Sequence, residues 1–469
     1  MENVLLSVGC IGVRINPLTR IYRPWDPTDS RIMSTKIFGQ VEREMAQRLF
    51  DAVRDLSSEP FHPGVTRPSY SVTESRALYE IKRAADFFDL DAIEDGAANL
   101  HVIDGESDAD EIAEPTAWHP GAIWIGSHID SVPNGGNYDG LAGIVAGLLV
   151  IWKIRDRRVY EGVRVKRPVR LVAMRGEESA WFGIPHIGAK AILGKLSSDD
   201  LGRCDSNGVS LRDRMEVVGV RFGDAIGMIH QQRPLVKPSD IAEFWELHIE
   251  QGPVLVNAGH PTAIVSDIRG NMRASTVRIK GQAGHSGTTP RELRHDAVFA
   301  FAEFICALDT AWSNAVDRKC DLVVTCGRVK TNDPCNLTRI PDDVEFCLEW
   351  RSRSPDMLLM FASIVDRVSE NIGRRRGVEF DFGNVVTTAP AKLDETLAAR
   401  AMTANEALTG LRALMPSGAG HDAAVFAQAG VPTGMIFVRN ANGSHNPEEA
   451  MDMDDFMIGV ELLYKTVTE

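Results

Sequence analysis

The chain has 469 residues, of which 44% are hydrophobic and 25% are charged, and its formal net charge is −14. This length predicts more than one domain, and the composition provides enough apolar residues for a packed core. The negative charge argues against sequence-independent binding of nucleic acid, because attraction to phosphate needs a basic surface. The seven cysteines form no C-x-x-C pair, so we expect them to be reduced and mostly structural.

The sequence predicts neither a secretion signal nor a membrane span. Residues 3–13 are fairly apolar, but they follow Glu2 and are not accompanied by a basic region or a small-residue cleavage site. The longest apolar run, Leu141–Trp152, is far shorter than the roughly 20 residues that a membrane-spanning helix needs. We therefore expect a soluble, cytoplasmic protein without a membrane partner.

The first part of the chain predicts an α/β fold. Residues 1–35 mix Pro, Arg and Asp without periodicity, which predicts an irregular extension. Apolar residues spaced by three and four then predict helices, and short apolar runs predict strands. The predicted helices are 36–56, 72–88 and 141–154, and the predicted strands are 100–103, 122–125 and 169–173. Strands that alternate with helices indicate a mixed or parallel sheet with helices on both faces, and the basic segment 155–170 is predicted to be a surface loop.

The pattern changes near Ile268. Residues 268–389 predict a strand, a helix, two strands, a helix and a final strand, at 272–280, 296–312, 321–329, 344–351, 357–373 and 378–382. This β-α-β-β-α-β order is the split pattern of a ferredoxin-like sandwich, which predicts an inserted second domain. The alternative is that this segment is one more stretch of the main domain.

Candidate metal-binding side chains follow the predicted strand over 122–125. This is the kind of position where ligands collect in an α/β sheet. The strand over 122–125 leads to His128, and Asp130 two residues later can accept the other N–H of its imidazole. A glycine-rich loop then brings Asp139 to the start of the next helix, where a carboxylate can bridge two cations.

The same arrangement recurs further along the chain. The strand over 169–173 leads to the adjacent Glu177 and Glu178, whose side chains diverge, so that one can bind a metal while the other acts as general base on a bound water. His248, His421 and His445 follow in predicted strands or glycine-containing turns.

Each of these patches alone also fits a polar turn, an acidic loop or a surface histidine. The turn before His421 fits a weak G-x-G-x-x-A pattern, but no clear strand precedes it, so we reject dinucleotide binding. Together the patches can supply three histidines and two carboxylates as ligands (His128, His248, His445, Asp139 and Glu178), a donor set that suits zinc, manganese, cobalt or nickel. The sequence contains no G-x-S-x-G elbow, P-loop or H-E-x-x-H helix.

The ordered motifs His-x-Asp, Asp, Glu-Glu, His-Ile-Glu-Gln-Gly-Pro and Ser-His-Asn-Pro resemble the M20 metallopeptidase clan, and within it the hydantoinase/carbamoylase amidase family. Its members include N-carbamoyl-L-amino-acid hydrolases, β-ureidopropionases and allantoate amidohydrolases. The resemblance implies a mixed-sheet α/β/α metallopeptidase-like catalytic domain, formed by residues 36–267 and 390–469. It also implies an inserted ferredoxin-like lid and dimerisation domain at 268–389, and hence a homodimer.

The resemblance further implies a metal pair. Two divalent ions per subunit (zinc, manganese, cobalt or nickel) are expected, with His128 and His248 on one ion, Glu178 and His445 on the other, and Asp139 bridging both.

Residues that act on the substrate are implied as well. Glu177 is expected to be the general base, and His285 of the lid is expected to reach the active site of a neighbouring subunit. Arg351 matches the arginine that grips a substrate carboxylate, since a guanidinium can make two parallel hydrogen bonds. Gln251 and His421 match positions that line the substrate pocket.

The chain departs from the family pattern near the substrate. The Glu-Glu pair is usually followed by Gly-Ser-Arg-Phe, whereas here Trp181 replaces the basic residue, which leaves the polarity of the substrate open. Members often carry Asn three residues before a lid proline, where this chain has Thr338 before Pro341 and Asn336 two residues earlier. Asn336 and Thr338 are both candidates for substrate contact.

The predicted activity is hydrolysis of a linear amide or ureido bond by a metal-activated water. The expected substrate is an N-carbamoyl-L-amino acid or a similar small ureido acid with a carboxylate. Allantoate or ureidoglycolate, an aryl amide and a dipeptide remain alternative substrates for the same site. An inactive binding or scaffold protein on the same fold is the alternative of another class, but it would have lost a ligand or the base, and none is missing from the sequence.

Overall fold

The computed structural model describes residues 37–59, 61–105, 120–220, 226–331 and 337–469. The predicted extension at 1–35 and the candidate Asn336 lie outside these residues. The helices are α1 (Gln40–Ser57), α2 (Val72–Phe87), α3 (Leu141–Glu161), α4 (Ile187–Ile192), α5 (Ser198–Leu201), α6 (Leu211–Val217), α7 (Gly227–His230), α8 (Val254–Ala258), α9 (Ala297–Asp317), α10 (Pro355–Arg376), α11 (Glu395–Thr409), α12 (Asp422–Gln428) and α13 (Met453–Thr468). The strands are β1 (Asp91–Glu94), β2 (Leu100–Ile103), β3 (Ala122–His128), β4 (Val169–Met174), β5 (Ile241–Ile249), β6 (Thr262–Ile268), β7 (Gly270–Lys280), β8 (Gly284–His285), β9 (Val323–Thr325), β10 (Val329–Thr331), β11 (Arg339–Ile340), β12 (Asp343–Ser352), β13 (Glu379–Asp381), β14 (Val385–Thr388), β15 (Ala391–Lys392), β16 (Leu414–Ser417), β17 (Thr433–Val438), β18 (Asn440–Ala441) and β19 (Ala450–Met451).

The larger sheet is mixed, and its central strands run parallel. Its order is β1-β2-β4-β3-β5-β17-β6-β15, with β16 beside β6. β3 is parallel to β4 and β5, and β17 is parallel to β5 on the other side. Successive residues of β3 point to opposite faces of the sheet. Ile125 packs in the apolar cluster under α1, α2, α3, α11 and α13, whereas Trp124 packs in the cluster under α4 and α12. The structure therefore confirms the predicted mixed sheet with helices on both faces.

The apolar run of α3 is explained by packing inside the protein. Every residue from Leu141 to Trp152 is buried, because this helix lies on β3, β4 and β5 and beneath α1 and α13. In the part of the chain that the structure describes, no helix is both long and apolar enough to cross a membrane.

The prediction for the end of α3 was wrong. The helix does not stop at residue 154 but continues to Glu161, into the segment 155–170 that was predicted to be a surface loop. Its last turns are charged and half-exposed, and Arg157 pairs with Glu161 at 2.9 Å one turn later. Gly162 ends the helix with a φ of +69°, a left-handed conformation that glycine adopts without strain.

The smaller sheet is antiparallel throughout. Its order is β10-β12-β7-β13, with β9 also on β12 and β14 also on β7. α9 and α10 cover one face, and Phe304, Phe346 and Phe361 lie in the apolar core between them and the sheet. This sheet has a core separate from the two clusters of the larger one.

The predicted strand at 321–329 is two strands instead of one. β9 pairs with Glu349–Arg351 of β12, and β10 pairs with Val344–Phe346. The interruption coincides with an irregularity of β12 at Cys347, where its register with β7 shifts. A local bulge of this kind cannot be predicted from the alternation of apolar residues.

The chain passes between the two sheets at adjacent points. It leaves the larger sheet between β6 and β7 and returns between β14 and β15. Gly270 lies here against the backbone of Thr388 and Pro390, and a Cβ at this position would overlap both. The crossing therefore requires a glycine.

Candidate metal centre

The five predicted metal-binding residues lie at one edge of the larger sheet. His128 is the last residue of β3, and His248 precedes the last residue of β5. Glu178 follows β4, His445 follows β18, and Asp139 lies two residues before α3. Since β3, β4, β5 and β17 are parallel neighbours, their carboxyl ends meet at this edge.

The first group joins His128, His248 and Asp139, and all three side chains are buried. The two histidine Nε2 atoms lie 3.5 Å apart, and they lie 3.4 and 3.1 Å from Asp139 Oδ1. His248 Nδ1 lies 2.9 Å from the carbonyl oxygen of Ile249, and His128 Nδ1 lies 3.2 Å from that of Asp130. With Nδ1–H donating to these carbonyls, both Nε2 atoms carry the lone pair and lie beside Asp139 Oδ1, and that of His248 accepts the backbone N–H of Gly140 at 3.2 Å.

The second group joins Asp139, Glu178 and His445. His445 Nε2 lies 3.4 Å from Asp139 Oδ2 and 3.3 Å from Glu178 Oε1. Asp139 therefore presents one carboxylate oxygen to each group. His445 is the exposed member, with 51% of its side chain accessible, so the site opens to solvent on this side.

The Asp139 carboxylate shows that these residues fit a metal. Its Oδ1 is buried and accepts no aligned hydrogen bond from the described residues, although two imidazole nitrogens face it. Burial opposes ionisation, but the contacts with His128, His248 and His445 hold the pKa of Asp139 well below its usual range. An ionised carboxylate among three imidazoles matches the donors that divalent transition metals prefer.

A third set, formed by Glu246, His248 and His421, also lies close together. Both carboxylate oxygens of Glu246 already accept hydrogen bonds, from Ser127 Oγ at 2.9 Å and from the Ala423 backbone N–H at 2.8 Å. This set therefore has fewer atoms available to bind a metal than the other two groups.

Asp130 connects the two strand ends that carry the site. Its carboxylate is fully buried and lies 3.4 Å from His128 Nδ1. It also accepts hydrogen bonds from the backbone N–H groups of Glu177 and Glu178, at 3.0 and 3.1 Å, and from Ser69 Oγ at 2.6 Å. Burial opposes its ionisation, yet these contacts, led by that with His128, lower the pKa of Asp130. One carboxylate thus orients both His128 and the Glu-Glu pair.

The loop that carries Asp139 is held by residues that sequence reasoning missed. Ser444 Oγ lies 2.6 Å from both Asp139 Oδ2 and Glu449 Oε2, and its single O–H can donate to either carboxylate. Glu449 Oε1 accepts the backbone N–H groups of Tyr138 at 2.7 Å and Asp139 at 3.2 Å. The predicted pocket residue Gln251 also donates to Asp139 Oδ2, at 2.8 Å. Ser444 is the first residue of the Ser-His-Asn-Pro motif, although the sequence assigned it no role, and the only sequence signal for Glu449 is its position two residues after that motif.

The two adjacent glutamates point to different partners. Glu178 faces His445, whereas Glu177 Oε1 lies 3.0 Å from Nδ1 of His186. Burial and the negative charges of Glu177 and Asp139 raise the pKa of Glu178 to about 7, although its contact with His445 opposes this rise. The divergence predicted for the pair is therefore observed, and His186 is a partner that the sequence did not indicate.

One predicted substrate residue lines a cavity of about 470 Å³, and two others contact residues that line it. Gln251 lines it directly, and Ser417, which also lines it, lies 2.7 Å from Nε2 of the buried His421. Arg351, on β12 of the smaller sheet, donates from a guanidinium nitrogen to the carbonyl oxygen of Gly418 at 2.8 Å. The cavity thus lies where the smaller sheet meets the metal-bearing edge of the larger one.

Other predicted residues are not brought to the metal ligands within one chain. His285 is exposed on β8, and its ring accepts a hydrogen bond from the backbone N–H of Gly287 in its own loop. The carbonyl oxygen of Thr338 accepts the backbone N–H of Ser286 at 2.9 Å, next to His285. Trp181 donates from its indole N–H to the Ser131 carbonyl oxygen at 2.9 Å, so its polar atom is occupied by the protein.

Comparisons with known proteins agree with this architecture. Residues 124–469 match the model of the peptidase family M20/M25/M40. An N-carbamoyl-L-amino acid amidohydrolase from Geobacillus stearothermophilus is 33% identical over 90% of this chain and 97% of its own length. The allantoate amidohydrolase of Escherichia coli (strain K12) is 32% identical over 85% of this chain and 91% of its own. Among solved structures, a hydantoinase/carbamoylase family amidase from Burkholderia ambifaria covers 91% of this chain and 96% of its own, with 25% identity and a TM-score of 0.74.

Proposed function

This chain belongs to the peptidase family M20/M25/M40, as its motifs predicted, and we propose that it is a metal-dependent amidohydrolase acting on a linear carbon–nitrogen bond. The observation that carries this proposal is the Asp139 carboxylate, which turns one oxygen toward His128 and His248 and the other toward Glu178 and His445. Such a shared carboxylate is typical of sites that hold two divalent ions a few Å apart.

The proposed metal site takes two ions of zinc, manganese, cobalt or nickel. His128 and His248 would hold one, Glu178 and His445 the other, and Asp139 both. When bound, such a pair supplies a water of lowered pKa and polarises the scissile carbonyl. The buried His128 and His248 keep their Nε2 atoms toward this point because their Nδ1 atoms are held by backbone carbonyls.

Glu177 is proposed as the general base. Its carboxylate is largely buried, and its negative charge acts on the proposed ligands His128 and Glu178, so it would lie near a water held by the metals. It would take one proton from the water as the oxygen attacks the carbonyl. The same proton would pass to the leaving nitrogen when the carbon–nitrogen bond breaks.

The proposed substrate is an N-carbamoyl-L-amino acid or a similar ureido acid. The loop before His421 lines the cavity, Arg351 contacts Gly418 of this loop, and a guanidinium there can bind a substrate carboxylate in a bidentate manner. Allantoate is the second candidate, because allantoate amidohydrolases are similar to this chain to nearly the same extent as the carbamoyl-amino-acid hydrolases. Ureidoglycolate, an aryl amide and a dipeptide are further alternatives.

Residues 268–389 are proposed to form a ferredoxin-like lid and dimerisation domain inserted between residues 36–267 and 390–469. Support comes from the separate core of the smaller sheet and from the position of Arg351 at its contact with the larger sheet. The exposed His285 would then complete the active site of a second subunit, as a donor to the developing oxyanion.

A metal-reconstituted activity screen tests the proposed function. The purified protein is stripped with chelator, loaded with each of the four metals, and analysed for metal content. It is then assayed on N-carbamoyl amino acids, ureidopropionate, allantoate, dipeptides and aryl amides by release of ammonia and amine. We expect about two ions per chain and turnover of a ureido acid only in the loaded protein. A protein that binds no metal and turns over no compound would instead be the inactive scaffold.

A further inference from the structure

A buried histidine outside the family motifs lies between two carboxylates of the site. His186 Nδ1 is 3.0 Å from Glu177 Oε1 and 3.5 Å from Asp422 Oδ1. Only 6% of His186 and 1% of Asp422 are accessible to solvent. Glu177, the proposed base, therefore belongs to a group of three buried side chains that are shielded from solvent.

Among the described residues, the His186 ring is the one cationic group within ion-pair distance of Asp422. Neither of its carboxylate oxygens accepts an aligned hydrogen bond from the described residues, and His186 Nδ1 donates none either, so the contacts of His186 with Glu177 and Asp422 are ion pairs. A buried carboxylate is costly unless a cation lies beside it, and the His186 ring is the group in ion-pair contact with it. Burial lowers the pKa of His186, but the negative charges of Glu177 and Asp422 outweigh this effect and raise it to about 9.

The backbone holds His186 in place at some conformational cost. Its φ is +61°, in the left-handed region that side chains other than glycine rarely adopt. Three successive backbone hydrogen bonds, from residues 186, 187 and 188 to the carbonyls of 177, 176 and 175, fasten this turn to the strand end that carries Glu177. The fold therefore fixes the imidazole relative to the base.

We propose that His186 is a positioning residue that holds the Glu177 carboxylate through ion-pair contact with its Oε1 and leaves Oε2 free to exchange a proton with the attacking water. This inference rests on the proposed function of Glu177 as general base. In the step concerned, an O–H bond of the water breaks, its proton moves to Glu177 Oε2, and the electron pair stays on the oxygen that attacks the carbonyl. The proton then leaves Oε2 for the nitrogen as the carbon–nitrogen bond breaks. Asp422 balances the charge of the imidazole.

Two substitutions at the same position separate positioning from packing. His186→Leu removes the ring nitrogen, whereas His186→Asn can place an amide N–H near the position of Nδ1 and tolerates a positive φ. With metal content unchanged, we expect His186→Leu to lower kcat by about 10- to 100-fold with little change in KM. His186→Asn should recover most of this loss. His101→Asn, at a fully buried histidine paired with Asp95 away from the site, is the control and should change stability without changing kcat.

A kcat for His186→Leu within twofold of the unmodified enzyme would overturn the inference, as would equal losses for the leucine and asparagine variants. A stability measurement decides the matter even for a protein that turns over none of the compounds in the activity screen. The urea midpoints of His186→Leu, Glu177→Gln and the double variant form a cycle, in which a non-additive result supports the contact and an additive one refutes it. Failure of the proposed function is recognised separately, by the absence of turnover in the unmodified, metal-loaded protein.

Discussion

Gly140 lies directly against the imidazole of His128. A Cβ at Gly140 would come within 2.5 Å of His128 Nδ1, and the residue has a φ of +68° that disfavours any other side chain. The glycine between Asp139 and α3 is therefore needed to let the bridging carboxylate and the first histidine approach each other. Two proposed ligands depend on this one close contact.

We therefore expect Gly140→Ala to displace His128 and to weaken metal binding at the first group. Metal content after dialysis should fall, and activity at limiting metal should drop by at least about tenfold, the scale seen when the surroundings of a metal ligand are disturbed. Gly202→Ala serves as a control, since a Cβ there would meet its nearest neighbour at an ordinary 3.5 Å. Full metal occupancy in Gly140→Ala would contradict the proposed ligand role of His128.

The roles of the two adjacent glutamates can be separated by amide substitution. Glu177→Gln keeps the shape of the side chain but cannot accept the proton of the water, so turnover should fall by about 100- to 10,000-fold. Both metals should remain, because Glu178 and not Glu177 faces His445. Glu161→Gln at the exposed end of α3 is a suitable control. Near-normal turnover in a Glu177→Gln protein that keeps its metals would refute the assignment of the base.

Metal binding at the second group should depend on pH. In the metal-free protein the contacts with Asp139 and Glu178 raise the pKa of His445 to about 10, against the effect of burial, and the pKa of Glu178 is about 7. A metal binds the deprotonated ligands, so below pH 7 it must displace protons from both residues, whereas near pH 8 it displaces mainly that of His445.

Affinity for the second ion is therefore expected to rise between pH 6 and pH 8, with more protons released per ion at pH 6. Calorimetric titrations in two buffers of different ionisation enthalpy measure both quantities. His445→Gln removes the more basic of the two groups and should give weaker binding with a smaller dependence on pH. Equal proton release at both pH values would show that these two residues are not the ligands.

The strand ends that carry the site could be predicted because they depend on local pattern. The apolar runs before His128 and Glu177 predict buried strands, and the glycine-rich turn before Asp139 predicts a helix start, all of which the structure shows. The order β4-β3-β5-β17, which brings those ends together, has no local signal in the sequence. We could expect the strand ends to meet only from the resemblance to a known family, in which the same motifs occur in the same order.

Contacts between distant segments could not be predicted in the same way. His186 meets Asp422 across more than 200 residues, and Glu449 holds the backbone of Tyr138 and Asp139 from the other end of the chain. Such partners are chosen by packing and by the need to satisfy buried charge, and neither leaves a periodic pattern. The same holds for the end of α3, where Arg157 donates to the Tyr464 hydroxyl at 3.0 Å and Arg158 pairs with Asp104 at 2.8 Å.

Arg351 offers a test of the substrate's carboxylate. One guanidinium nitrogen donates to the carbonyl oxygen of Gly418 and another to Glu349 Oε2 at 2.9 Å, so the side chain is oriented at the cavity edge. Arg351→Lys keeps the charge but loses the planar fork, and we expect the KM for an N-carbamoyl amino acid to rise by about 10-fold or more with a smaller change in kcat. The matched substrate is the corresponding N-carbamoyl amino acid amide, which lacks the carboxylate. Its kcat/KM should be low with the unmodified enzyme and almost unchanged by the substitution, whereas an equal loss for both substrates would assign Arg351 a structural role at the junction of the two sheets.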